Sequence, residues 1–142
     1  MLFVIDSNEF IFGLGSREHS AMALIDILAG GSSLHSIRIP RTIFEEVKRN
    51  VSTEAFGEFL MLIETGALTL DEDIVVPFEL GLRYEKMGFK PADSFIAAYA
   101  EWVMADALVS ENRHFLFDHP HLPFKTLSAE SALKYIKSSS LK

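Results

Sequence analysis

Four places in the chain carry side chains that could do chemistry together. Asp6 closes the apolar run Leu2-Phe3-Val4-Ile5. Glu45 and Glu46 stand side by side after Pro40. Asp93 follows Pro91 at the start of a helical pattern, and Ser110-Glu111-Asn112 follows the apolar run Ala107-Leu108-Val109. Each has an ordinary structural explanation. Asp-Ser-Asn is good turn or capping chemistry, and an acid in the first turn of a helix is favoured by the helix dipole. Gathered in one place, bare carboxylates repel one another. Oxygen-rich clusters suit Mg²⁺ or Mn²⁺, and such ions can activate a water for in-line displacement at a phosphodiester.

The two adjacent glutamates need separating. Thr42-x-x-Glu45 has capping-box spacing, which gives Glu45 a task on the backbone. Glu46 lies between Ile43 and Val47 on the helix wheel, nearer the core-facing side, where a carboxylate needs a partner or a cation. Glu46 is therefore the chosen ligand, with Glu45 as the alternate. Ser110 and Asn112 can hydrogen-bond a carboxylate, a metal-bound water or a phosphate. Asp106 precedes its strand, so roughly 15–20 Å of extended chain separates it from Asn112. It is excluded from the site and read as a strand-entry turn.

The elements that must position these residues follow from periodicity. Leu2–Ile5 reads as a strand buried on both faces. Ile37–Ile39, Leu68–Leu70, Ala107–Val109 and Phe124–Leu127 are further strands. Helical spacing predicts helices over Ser20–Ala29 (stopped at Gly30-Gly31), Thr42–Asn50, Ser52–Glu64, Pro77–Met87, Pro91–Met104 and Ser128–Lys137, the last with Ser128 and Ser131 as rival caps. Strands alternating with helices predict an α/β fold, a three-layer α/β/α sandwich around a mostly parallel sheet. In such sheets functional groups collect beyond the carboxyl ends of the strands. Asp6 and Ser110–Asn112 are placed there.

Composition limits the alternatives. The 142 residues are 49% hydrophobic and 23% charged, with a formal net charge of -7 and no cysteine. Disorder, a disulfide scaffold, a thiolate zinc site and a cysteine nucleophile are excluded. The acidic balance argues against a broad basic face for nucleic acid, but not against a nuclease whose acidic site holds cations. Apolar runs are far shorter than a membrane span needs, and a basic, apolar leader is missing. The expectation is a cytoplasmic protein with no membrane partner, one domain over residues 1–137 and a frayed tail over 138–142.

Four stretches, in order, resemble the PIN domain, the fold of metal-dependent nucleases that includes the VapC-type toxins. They are Val4-Ile5-Asp6-Ser7-Asn8; Ile39-Pro40 with Glu46-Val47; Pro91 to Ala100 around Asp93; and Ala105 to Phe115 around Ser110 and Asn112. The resemblance covers residues 1 to about 127. It implies that Asp6, Glu46 and Asp93 are acidic metal ligands, that Asn112 completes the set, and that Ser110 stands where the family places a Thr or Ser. Asn112 is neutral, which lowers the site's charge and points to one firmly held ion. The implied activity is a Mg²⁺- or Mn²⁺-dependent endoribonuclease on single-stranded RNA, as in the toxin of a toxin–antitoxin pair, with an antitoxin partner and a homodimer by analogy. A PIN-like RNA-binding or scaffold module without strong catalysis is the second reading. A phosphoacceptor receiver domain fits poorly, since no strand ends in an acceptor Asp.

Other residues are assigned plainer roles. His114, His119 and His121 read as loop or surface histidines. Arg17, Arg41, Lys48, Arg49, Arg83, Lys86, Lys90 and Arg113 are equally a basic rim or solvated charges. Trp102 and the phenylalanines read as core rather than stacking platforms. Phe59–Ile63, apolar nearly all round, reads as central core or as a partner surface.

Overall fold

The computed structural model describes residues 1–16, 19–30, 34–117 and 121–140. Five strands, β1 (Leu2–Ile5), β2 (Ser36–Pro40), β3 (Leu68–Asp71), β4 (Ala107–Val109) and β5 (Lys125–Leu127), form one sheet in the order β3-β2-β1-β4-β5. Every pairing is parallel. The fold is thus the α/β architecture that the alternating pattern predicts, with helices on both faces of the sheet.

After β1 come a short helix α1 (Ser7–Phe10), a π-turn (Ile11–Gly15) and α2 (His19–Ala29). Helices α3 (Arg41–Asn50) and α4 (Thr53–Glu64) join β2 to β3. A 3₁₀ turn (Asp73–Val75), α5 (Phe78–Lys86) and α6 (Pro91–Trp102) join β3 to β4, α7 (Arg113–Phe117) joins β4 to β5, and α8 (Ala129–Ser140) closes the chain. Parallel crossovers are right-handed. The chain steps outward from β1 to β3, then reverses to β4. Right-handedness therefore puts α1 to α4 on one face and α5 to α7 on the other. Helix α8 packs against α2, on the first face.

The core follows from the strand sequences. Phe3, Val4 and Ile5 of β1 are fully buried, as are Ala107, Leu108 and Val109 of β4, because both faces of these central strands are covered. The helix and strand positions predicted from spacing agree with the structure to within a few residues. Short elements were not predicted: α1, the π-turn, the 3₁₀ turn and α7 all lie in stretches too brief for a periodic signal. Gly13 shows why the π-turn fits closely. A Cβ there would stand 2.8 Å from Ile25 Cδ1 and 3.2 Å from the Ala21 backbone.

Several expectations change. The Thr42–Glu45 capping box does not form. Helix α3 begins at Arg41, and the Asp73 carboxylate accepts from the Thr42 backbone N–H at 3.0 Å and from its hydroxyl. Glu45 instead lies 3.9 Å from Arg41 one turn back. A cap supplied from the chain beyond β3 satisfies the helix terminus better than a side chain within it could. Trp102 is 38% exposed rather than core, and Phe12 and Phe78 are 40% and 74% exposed. In the Phe59–Ile63 stretch only Phe59 is buried, while Met61 is 56% exposed. Ser128, not Ser131, caps α8, its Oγ accepting from the Ser131 N–H at 3.1 Å. Ser138–Ser140 belong to that helix. Gly31, Arg17, His119 and the last two residues lie outside the described residues.

Candidate metal centre

The sheet's own reversal builds the site. Register pairs Ile5 with Val109, so the next residues, Asp6 and Ser110, emerge side by side. The Asp6 N–H still donates to Val109 O at 2.9 Å, and the Ser110 N–H to Leu127 O at 2.9 Å. Strands β1 and β4 are neighbours whose onward connections run to opposite faces. This is the switch point at which open α/β sheets leave a crevice.

Asp6 serves two structural purposes there. It is the N-cap of α1, its Oδ1 accepting from the Ser7 N–H at 2.8 Å, and its Oδ2 accepts from the Ser110 hydroxyl at 2.8 Å. Ser110 is fully buried. Its Oγ also accepts from the Asn112 N–H at 3.0 Å, and the Asn112 side-chain amide donates to Asp93 Oδ1 at 3.2 Å. A continuous line of hydrogen bonds therefore runs from Asp6 through Ser110 and Asn112 to Asp93.

Asn112 has a local task as well. Its Oδ1 accepts from the His114 N–H at 3.0 Å and its backbone carbonyl from Phe115 and Leu116, so it caps α7. The amide thus turns its nitrogen, not its oxygen, toward Asp93. Asp93 itself comes from the first turn of α6, which Pro91 starts, as Pro does at a first helical position. Glu46 is half-buried on α3, next to buried Val47.

Electrostatics tie Glu46 to the others. Burial raises the Asp6 carboxyl above its ordinary value; bonds from Ser110 and Ser7 oppose that, and the charges of Glu46 and Asp93 add to it. Glu46 and Asp93 are therefore each within electrostatic reach of Asp6, and the two predicted hydrogen-bonding residues, Ser110 and Asn112, lie between Asp6 and Asp93. Among the described residues, no three Asp, Glu, His or Cys side chains stand close enough to form a ready-made cation cage. The three acids nevertheless offer carboxylate oxygen, which is what hard divalent cations take. Mg²⁺ keeps several of its waters and needs only one or two direct carboxylates, so spaced acids fit it.

Asp106 lies at the other end of the strands, as its position before β4 requires. Its carboxylate accepts from the Leu2 N–H at 2.6 Å, and its backbone pairs with Leu2 and Lys125. Arg41 and Arg83, proposed for a basic rim, are each drawn to a carboxylate: Arg41 to Glu72 and Arg83 to Glu101.

Sequence reasoning missed three contacts. Glu111 Oε1 accepts from the Ala129 N–H at 2.9 Å, fastening the loop after β4 to α8. Asp73 caps α3, the helix that carries Glu46. Arg38 makes a two-pronged pair with Asp71, both bonds 2.9 Å, and the buried Tyr99 hydroxyl donates to Asp71 at 2.6 Å. The last had a signal: Arg38 interrupts Ile37-x-Ile39, so it must face the sheet's other side and needs a counter-charge there.

No family model and no curated protein sequence matches the chain. Among solved structures, it is similar to a chain of the VapBC2 complex from Rickettsia felis, crystallised with a DNA fragment from its promoter. The TM-score is 0.61 at 17% identity, covering 90% of this chain and 98% of that one.

Proposed function

We propose that the chain is a PIN-like, divalent-metal-dependent endoribonuclease that cuts single-stranded RNA, and that it is the toxin of a toxin–antitoxin pair. The observation that carries this reading is the hydrogen-bonded line Asp6–Ser110–Asn112–Asp93 at the sheet's switch point, with Glu46 within electrostatic reach. The likeness in fold to a VapBC2 chain supports it.

Asp6, Glu46 and Asp93 would hold one Mg²⁺ or Mn²⁺, directly or through water. Such an ion, when bound, supplies an activated water and neutralises charge developing on the phosphoryl oxygens. Ser110 fixes the Asp6 carboxylate by its hydrogen bond, and Asn112 does the same for Asp93. A flexible single strand can bring its backbone down to acids at the bottom of a crevice, which a duplex does less readily. An antitoxin protein as partner, a homodimer and a cytoplasmic location accompany this reading. No described helix is long and apolar enough to cross a membrane.

The test is cleavage of a labelled single-stranded RNA with Mg²⁺ or Mn²⁺, with EDTA, and with Asp6→Asn or Asp93→Asn. Metal-dependent cutting that both substitutions abolish supports the proposal; cutting that survives them overturns it. Two observations favour a second reading, a weakly catalytic RNA-binding or scaffold module: the Asn112 amide already engages Asp93, and no three-acid cage is formed among the described residues. Calorimetry with Mn²⁺ separates the two, since a scaffold binds none at millimolar metal.

A further inference from the structure

Beside the acidic centre, on its β5 side, lies a concave space of about 320 Å³. Phe12 of the π-turn, Ser20 of α2, Glu111 after β4, and Ser128 and Glu130 at the start of α8 line it. Glu111 directly follows Ser110, the residue that holds Asp6, so this space and the proposed metal centre share one loop. Phe12 is a large apolar side chain left 40% exposed at the cavity. The polar groups beside it are two serine hydroxyls, which both donate and accept, and two carboxylates, which only accept.

This is not an anion site. Two of the first N–H groups of α8 are already taken, Ala129 by Glu111 and Ser131 by Ser128, and two carboxylates repel a phosphate. An aromatic face flanked by carboxylates instead suits a flat ring carrying N–H donors on its edge. Stacking on an aromatic face tolerates any base, so selection must come from the edge. Guanine presents two adjacent donors, N1–H and the N2 amino group, which match the two oxygens of one carboxylate. Adenine, cytosine and uracil each place an acceptor next to their donor, and a carboxylate repels it.

We infer that this cavity is a subsite for a guanine base of the RNA, with Phe12 stacking on the ring and the Glu130 carboxylate accepting from N1–H and N2. The inference rests on the reading of the chain as an RNA-acting protein, but not on cleavage. Glu130 is surface-exposed, 3.5 Å from Lys134 one turn on, so it can turn to a base without unfolding anything.

The experiment titrates the whole chain, in EDTA, with U-rich oligonucleotides containing one guanine, one adenine or neither. Binding is read from affinities and from amide shifts at Phe12, Ala21 and Ala129. The guanine oligonucleotide is expected to bind about tenfold tighter than the others, a typical effect of one paired, charge-assisted contact. Glu130→Gln should remove most of that preference, whereas Phe12→Leu should weaken the binding of all three oligonucleotides, because stacking does not discriminate between bases. Equal affinities overturn the inference, and so does a preference that Glu130→Gln leaves intact. A chain that selects guanine but never cuts RNA retires the nuclease reading alone. One that cuts without guanine preference retires the subsite alone.

Discussion

The Ser110 hydroxyl donates to Asp6 Oδ2 at 2.8 Å across 104 positions of sequence. It is the contact by which β4 reaches the acid that ends β1, and it works against the burial that raises the Asp6 carboxyl. Several outcomes follow from the balance of these opposing effects.

Asp6→Asn should abolish metal-dependent cutting and yet stabilise the metal-free protein. A carboxyl held above its ordinary 3.8 in the folded state binds its proton more tightly there than in the unfolded chain. Its favourable contribution belongs to acid pH and is lost as pH rises through the folded value. At neutral pH the ionised, desolvated Asp6 therefore weakens the fold. An asparagine keeps the shape and removes the charge. Thermal melting in EDTA at pH 7 should rise by about 2–4 °C, the effect of about 1 kcal/mol in a chain of this size, and the gain should vanish at pH 3.

Ser110→Ala should push the Asp6 carboxyl further up, since it deletes the bond that opposes burial. Metal must displace the Asp6 proton, so the pH at which Mn²⁺ binding reaches half its maximum should move upward. Calorimetry across pH 5–8 reads this shift. An unchanged profile means that Asp6 does not ligate the ion.

Asn112→Asp replaces the donor facing Asp93 with another anion. Aspartate caps a helix as well as asparagine does, so α7 should keep its start. The metal-free protein should lose about 1 kcal/mol to like-charge repulsion near Asp93, and Mn²⁺ should bind several-fold tighter. Urea unfolding with and without Mn²⁺ measures both.

Asp71→Asn tests the Arg38–Asp71–Tyr99 network. Burial works to raise the Asp71 carboxyl, but the hydrogen bonds from Arg38 and Tyr99 outweigh it and hold the group below its ordinary 3.8. The stability it contributes is complete above that value and is lost as pH falls through the lower, folded value. The substitution should cost about 2 kcal/mol at pH 7, from weakened charge-assisted bonds and a buried hydroxyl left poorly paired. The cost should shrink steadily below pH 3.8, as the unsubstituted chain loses the same pair.

Much of this was legible in the chain itself, for physical reasons. Leu2–Ile5 and Ala107–Val109 are apolar throughout because both faces are covered, and a run of that kind announces a central parallel strand. Asp6, Ser110 and Asn112 stand directly after such runs, so their shared location follows once the sheet is known to be parallel. Glu46 could be preferred to Glu45 because its neighbours on the wheel are buried. The Asp73 cap was not legible: it joins residues 31 positions apart, and nothing in Thr42-x-x-Glu45 reveals that a distant aspartate will win the helix terminus. The exposure of Trp102 was hidden for a similar reason, since helix α6 stops there and leaves the indole at its rim. Phe12 sits in a π-turn, whose five-residue spacing no helical or strand period detects.

The loop after β4 is fastened three ways within three residues: Ser110 to Asp6, Glu111 to the first amide of α8, and Asn112 to Asp93. The segment that holds both acids in place is thereby also moored to the carboxy-terminal helix, so the geometry of the centre depends on an element that supplies none of its acids.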